Sequence, residues 1–417
     1  MDIRNIIGQW ALDQDFLHGR MSFICGPRQI GKTTLVRQYL EGIGQRDNYH
    51  NWDSLTLRQQ FASNPLFFIA NISKPLVSGS PPSTQNREWI VFDEIHKYPH
   101  WKDILKGYYD EWKEFIEFII TGSARLDYFR RSGDSLVGRY FLFKMNPLHP
   151  NDLTGVILDR DTAWTPNVLE DPFHEPDQFF SEATDHLYHL SGFPEPASVG
   201  TKEFYQRWKN NHISLITTED VRDLSKIENI QKLQTLVFLL PERVGSPLSV
   251  NNLKNILGCA HASVQNWLEI LKKVYLVFDL LPYSAHLARS VRKERKFFFW
   301  DWGLLEDEGK RFENFVAVQL RRAVSAWTEW GKGDFNLSFV RTKDGREVDF
   351  VITSNQKACL LIECKISDRT LSPNLRYFKD RLQVPMAFQV IETPGHLEQV
   401  DKGIFVMGLD RLLKILP

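Results

Sequence analysis

Short apolar runs alternate with amphipathic stretches over the first 155 residues, the pattern of a parallel sheet whose strands are separated by helices. Met21–Cys25 reads as a buried strand, followed by a glycine-rich turn and a helix near residues 32–40. Residues 89–92 and 115–121 read as two further strands, the second ending at Gly122-Ser123. The stretch Ser78-Gly79-Ser80-Pro81-Pro82 punctuates the chain between elements. Residues 156–178 are rich in Asp, Pro and Thr and read as a boundary or long surface loop, and from about 180 to 240 the pattern is helical. Residues 249–257 and His261–Lys273 read as two short helices, with Gly258 stopping the first. Residues 274–281 and 296–300 then read as strands, and helix, helix, hairpin is the order of a winged helix. The last block, 311–417, reads helix, strand, strand, strand, helix, strand, helix.

Composition narrows the class. The chain has 417 residues, enough for two or three domains. Hydrophobic residues make 42% and charged residues 25%, which excludes a disordered, collagen-like or disulfide-stapled chain. The 51 basic and 52 acidic residues leave a net charge of −1, so bulk positive charge cannot be the means of binding nucleic acid, although a local basic patch stays open. No apolar run approaches the roughly 18 residues of a membrane span. The start, Met1-Asp2-Ile3-Arg4, has no signal layout. The four cysteines, 25, 259, 359 and 364, form no CxxC pair and read as reduced thiols of a cytoplasmic protein.

The sharpest chemistry is Gly26-Pro27-Arg28-Gln29-Ile30-Gly31-Lys32-Thr33, which fits G-x-x-x-x-G-K-[ST] between a strand and a helix. Gly26 and Gly31 let the backbone curl so that N–H groups point at phosphate oxygens, and the helix start adds its positive dipole end. Lys32 would reach the β- and γ-phosphates, the Thr33 hydroxyl would hold Mg²⁺, and Thr34 closes the cofactor-binding set. The strand at 89–92 ends in Asp93-Glu94. Asp93 would join the Mg²⁺ shell and Glu94 would polarise the attacking water. Ser123, with Thr121 in reserve, would sense the γ-phosphate; a plain turn is the alternative. Among Arg125, Arg130, Arg131 and Arg139, the last is the preferred arginine finger, which would require a neighbouring copy if it acted in trans; surface salt bridging is the bland alternative. Ile6, Ile7 and Trp10 would line an adenine pocket or simply pack.

A second constellation lies near the C-terminus. Asp349 falls on a strand around 346–352, and Glu363-Cys364-Lys365 ends the next. Alternation puts Glu363 and Lys365 on one face, so that Asp349, Glu363 and Lys365 would converge as the D…E-x-K group of a Mg²⁺-dependent nuclease. Asp349 and Glu363 would hold the metal, helped by the Cys364 carbonyl and Glu313, while Lys365 would activate water. The alternative is a solvated hairpin with an ion pair. In the helix 261–273, Ser263, Gln265 and Asn266 would read bases, and Arg289, Arg292, Lys293, Arg295 and Lys296 would touch phosphates as a basic wing. An internal lid or subunit contact is the competing reading.

The chain resembles prokaryotic AAA-type P-loop ATPases that carry a C-terminal domain of the DUF4143 type. The segments that match are GPRQIGKTTL (26–35), VFDEIHKYPHW (91–101), ITGSARL (120–126), SLVGRYFLFKMNPL (135–148), SGFPEP (191–196), KFFFWDWGLL (296–305), RFENFVAVQL (311–320), REVDFVI (346–352) and LIECK (361–365). His96 departs from the Gln usual there. The resemblance implies an α/β fold in four parts: an AAA-like P-loop ATPase core (1–155), a helical linker or lid (156–240), a winged helix (241–305) and a PD-(D/E)xK restriction-endonuclease-like domain (306–417). It also implies ATP as the nucleotide. Two functions follow as expectations. One is an ATPase that drives a DNA-contacting winged helix and a nuclease-like domain. The other is a nucleotide-dependent switch whose nuclease-like domain is catalytically dead and holds a protein partner.

Overall fold

The computed structural model describes residues 10–72, 87–122, 136–155, 165, 175–224, 229–283 and 294–417. Contacts divide the chain into two compact units, one up to residue 146 and one from residue 147 onward.

The first unit is built on five parallel strands: β1 (Met21–Cys25), β2 (Tyr49–Asn51), β3 (Glu88–Asp93), β4 (Ile116–Thr121) and β5 (Tyr140–Lys144). Their order is β2-β3-β4-β1-β5. β1, β3 and β4 are buried along their whole length, which is why they read as continuous apolar runs rather than alternating ones. Because every strand runs the same way, residues 26, 94 and 122 all leave the sheet at one edge. Parallel sheets place their ligands at such an edge, where the loops gather. Beneath the sheet, Phe68, Phe92, Tyr108 and Phe118 form a buried aromatic cluster, with Phe68 and Tyr108 ring centroids 4.8 Å apart. Each fully buried phenylalanine stabilises the fold by roughly 1.5–3 kcal/mol, so this cluster fixes where β3 and β4 end.

The second unit carries an eight-stranded mixed sheet in the order β12-β13-β11-β10-β9-β8-β6-β7. Its strands are β6 (Val277–Pro282), β7 (Lys296–Phe299), β8 (Phe335–Arg341), β9 (Glu347–Ser354), β10 (Lys357–Cys364), β11 (Met386–Ile391), β12 (Leu397–Asp401) and β13 (Ile404–Gly408). The two helices expected before the hairpin are present, Val250–Leu257 and His261–Lys273, and Gly258 ends the first at φ 56°. The hairpin, however, is not a free wing. β6 pairs antiparallel with β7 from Val277 to Leu280, then runs parallel to β8 at Leu281 and Pro282. Hairpin and C-terminal strands therefore share one sheet. The C-terminal block also holds two strands more than the pattern suggests, since β12 and β13 form a hairpin after β11.

Two buried polar knots tie distant parts of this unit together. Arg322, on the long helix Glu308–Glu329, makes a bidentate pair with Asp152 at 2.5 and 3.0 Å and also donates to the carbonyls of Pro147 and Pro417. Asp301 accepts from Ser191 Oγ, Tyr205 OH and the Gly303 amide at 2.9–3.1 Å. Gly192 lies so close to Trp302 that a Cβ there would stand 2.4 Å from its ring. The SGFPEP and WDWG segments are thus two sides of one packed joint.

Candidate active site: the phosphate loop and a carboxylate cluster

The loop from 26 to 33 has the torsions that the octet requires. Gly26 sits at φ 148° and Gly31 at φ 94°, and Gly31 caps the helix Lys32–Gly42. A Cβ on Gly26 would come within 2.4 Å of the Met145 carbonyl, so only glycine lets β1 turn there. Gln29 is also in the left-handed region, at φ 62°. Lys32 is buried, and its ammonium donates to the carbonyls of Gly26 and Pro27 at 3.1 and 2.7 Å, folded back across the loop. Those contacts hold the side chain over the cradle that phosphate oxygens would enter.

Asp93, at the end of β3, is the hub beside it. Thr33 Oγ1 donates to Asp93 Oδ2 at 2.8 Å, Tyr49 OH donates to the same oxygen at 2.5 Å, and Thr121 Oγ1 donates to Oδ1. Thr33 and Asp93 stand 60 residues apart in sequence, and the parallel sheet brings them together. Thr33 and Asp93 present hard oxygens side by side, a donor set that suits Mg²⁺. Sequence reading missed Tyr49. It lies on the three-residue strand β2, too short to leave a pattern, with the Arg37 guanidinium 4.3 Å from its ring centroid.

Glu94 follows Asp93 at φ 58°, an uncommon conformation for a residue with a Cβ. Its amide donates to the Thr121 carbonyl at 2.9 Å, and the turn Ile95–Lys97 begins there. The kink takes Glu94 out of the strand's alternation. Burial raises its carboxyl pKa; Lys97 pulls it back down, Asp93 pushes it further up and Lys32 opposes. Lys97 Nζ lies 3.4 Å and His96 Nε2 3.5 Å from Glu94 Oε2, and Lys97 also pairs with Asp53 at 2.5 Å.

Other expected groups fall elsewhere. Ser123, Arg125, Arg130 and Arg131 lie outside the described residues, as do Ile6 and Ile7. Thr121 is buried against Asp93. Arg139 forms a bidentate pair with Asp110, at 2.8 and 3.1 Å. The β1–β5 register pairs Met21 with Tyr140 and Cys25 with Lys144. Arg139 therefore stands at the opposite end of the strands, roughly 17 Å along the sheet from its own phosphate loop. Trp10 packs edge-on against Phe16.

In the second unit, β9 and β10 pair Phe350 with Ile362, which sets Asp349 beside Glu363. Cys364 donates its amide to Asp349 Oδ2 at 2.9 Å, and Lys365 Nζ pairs with Glu363 Oε1 at 3.0 Å. Glu363 Oε2 is buried with no partner. Asp349, Glu363, Lys365 and Glu313 are thus brought together. Burial and the Asp349 charge push the Glu313 and Glu363 carboxyls up to about 7, against the pull of Lys296 and Lys365 respectively. The unexpected member is Lys296, read from sequence as a phosphate-touching wing residue. That reading is corrected: Lys296 is fully buried, 2.6 Å from Glu347, 3.3 Å from Glu313 and 3.7 Å from Asp349. Arg295 is committed to Asp279 at 2.5 Å. Arg289, Arg292 and Lys293 lie outside the described residues. Among the described residues, no three His, Cys, Asp or Glu side chains converge in a metal-holding group. With an ammonium already among the acids, this donor set does not fit a divalent ion. In the helix His261–Lys273, Gln265 and Asn266 are exposed and Ser263 is half-buried.

Among the described residues, no helix is long and apolar enough to cross a membrane. Comparison with known proteins finds three family models along the chain. A family model described as an AAA domain matches residues 18–153, and two domains of unknown function, DUF8612 and DUF4143, match residues 181–308 and 308–412. An uncharacterized protein of Mycobacterium tuberculosis is 23% identical over 94% of this chain and 83% of its own length. An uncharacterized protein of Methanocaldococcus jannaschii is 25% identical over 83% of this chain and 75% of its own. The family models thus find an AAA domain towards the N-terminal end and a DUF4143 domain towards the C-terminal end, in the order that the resemblance implies.

Proposed function

We propose that the chain binds ATP at residues 26–34 and hydrolyses it with Mg²⁺. The single observation that carries this is the Thr33–Asp93 hydrogen bond at 2.8 Å, with Glu94 on the next residue and Lys32 folded over the loop. On nucleotide entry, Lys32 would exchange the Gly26 and Pro27 carbonyls for phosphate oxygens. The loop amides would take the remaining phosphate oxygens at the helix start. Thr33 and Asp93 would hold Mg²⁺, whose chemistry is to neutralise charge on the phosphates. Glu94 would orient and deprotonate the attacking water, and Lys97 and Lys32 favour its ionised form, the form that accepts a proton. Phosphate release should be clear in wild type, lost in Lys32→Ala together with binding, and lost in Glu94→Gln without loss of binding. A Glu94→Gln protein that turns over at the wild-type rate would reject the assignment of the base.

A second reading concerns coupling. The exposed amides of Gln265 and Asn266 support a DNA-facing helix, while the commitment of Arg295 and Lys296 to internal acids removes two cations from the basic wing. A nucleotide-driven switch with a partner-holding C-terminal domain is the alternative. Linear, circular and single-stranded DNA, incubated with and without ATP and Mn²⁺, separates them. Cutting lost in Asp349→Ala supports the nuclease, and intact DNA throughout supports the switch.

A further inference from the structure

Lys296 occupies a place that the topology creates. β6 leaves β7 after Leu280 and continues along β8, so the first residue of β7 abuts the sheet where β8 and β9 pass. From there its side chain runs past Phe339, with the ammonium 5.4 Å from the ring centroid, to the carboxylates of Glu347, Glu313 and Asp349. The side chain is 1% exposed. The backbone at Gly245 closes over Glu313, and a Cβ there would lie 2.3 Å from Glu313 Oε2. Both oxygens of Asp349 are engaged, one by Lys296 and one by the Cys364 amide. Arg341, on the rim, shares Glu347 at 3.3 Å.

One buried ammonium offsets part of the negative charge of the three carboxylates around it, and Arg341 shares Glu347. The acids cannot lose the lysine without leaving uncompensated buried negative charge, and the lysine cannot swing into water from a covered position. A divalent ion on Asp349 and Glu363 would stand within a few ångströms of that ammonium, where repulsion is poorly screened. We propose that Lys296 is the resident cation of this cluster, and that the C-terminal unit holds no divalent ion there while β7 is in place. The contact is autoinhibitory toward any metal chemistry that Asp349 and Glu363 could otherwise support. It makes the cluster the joint between the hairpin and the C-terminal strands. Glu363 is the acid left over, with one oxygen on half-exposed Lys365 and the other buried without a partner. The proposal is independent of the ATPase reading.

Mn²⁺ binding to the full-length, nucleotide-free protein tests it, with free ion counted by electron paramagnetic resonance. Wild type, Asp349→Asn and Glu363→Gln should give superimposable titrations. Lys296→Met, shown to be folded by circular dichroism, should gain an ion that Lys296→Met/Asp349→Asn does not bind. A micromolar ion in wild type that Asp349→Asn or Glu363→Gln loses would overturn the proposal, and so would a folded Lys296→Met that gains nothing. If Lys296→Met does not fold, the comparison of wild type with the two acid variants still decides. An ion bound equally by all three belongs to another site and leaves the cluster metal-free, as proposed.

Discussion

The phosphate loop and the carboxylate cluster are both built around a lysine among oxygen atoms, yet they are assembled in opposite ways. In the loop, residues 26–33 are contiguous, their torsions are fixed by two glycines, and the acids arrive from one strand end. Lys32 there touches neutral carbonyls, which it can exchange for a charged ligand. In the cluster, residues 296, 313, 347, 349, 363 and 365 arrive from separate elements, and Lys296 touches carboxylates that it cannot leave cheaply. A cation held by weak acceptors is poised for a ligand, whereas one held by acids already has its own.

The strongest way to break this contrast is at Glu94. Glu94→Gln should lower turnover by about 10²–10⁴-fold while nucleotide affinity stays near wild type, read by phosphate release and by titration. Next comes Arg322, an assembled contact like Lys296. Arg322→Met leaves the buried Asp152 carboxylate without its guanidinium counter-charge, and urea unfolding should show a loss of about 3–5 kcal/mol. A loss below about 1 kcal/mol would mean that the unit relaxes around the missing charge.

Glu117 sharpens the comparison within the first unit. Burial raises its carboxyl to about 7, against the Arg87 guanidinium 2.8 Å away. The folded state therefore holds this proton more tightly than the unfolded chain. Its contribution is full below the unfolded value near 4.5 and is lost as pH rises through about 7. The span corresponds to at most roughly 3 kcal/mol. Thermal midpoints of wild type should fall between pH 5 and 8 by more than those of Glu117→Gln. The smallest effect is expected at Tyr49. Tyr49→Phe removes one hydrogen bond to Asp93, about 1 kcal/mol, and should raise the Mg²⁺ concentration needed for half-maximal turnover several-fold.

What the sequence reveals follows the same division. β1, β3 and β4 are legible because strands buried on both faces read as apolar runs, and the loop is legible because its geometry is local. β2 and β5 are not: one has three residues, and the other is a half-covered edge strand. Asp349, Glu363 and Lys365 can be placed together from strand alternation alone. Lys296 cannot, because its position depends on β6 passing from β7 to β8, a pairing set by long-range register. Arg139 is a related case: a motif shows that an arginine is there, but not which end of the sheet it occupies.

The most direct test of the account is a calorimetric titration of Mg²⁺-ATP into folded wild-type protein, Lys32→Ala and Glu94→Gln. Saturable binding in wild type and in Glu94→Gln, with none in Lys32→Ala, is the expected result. A folded wild-type protein that shows no affinity for any purine triphosphate would contradict it.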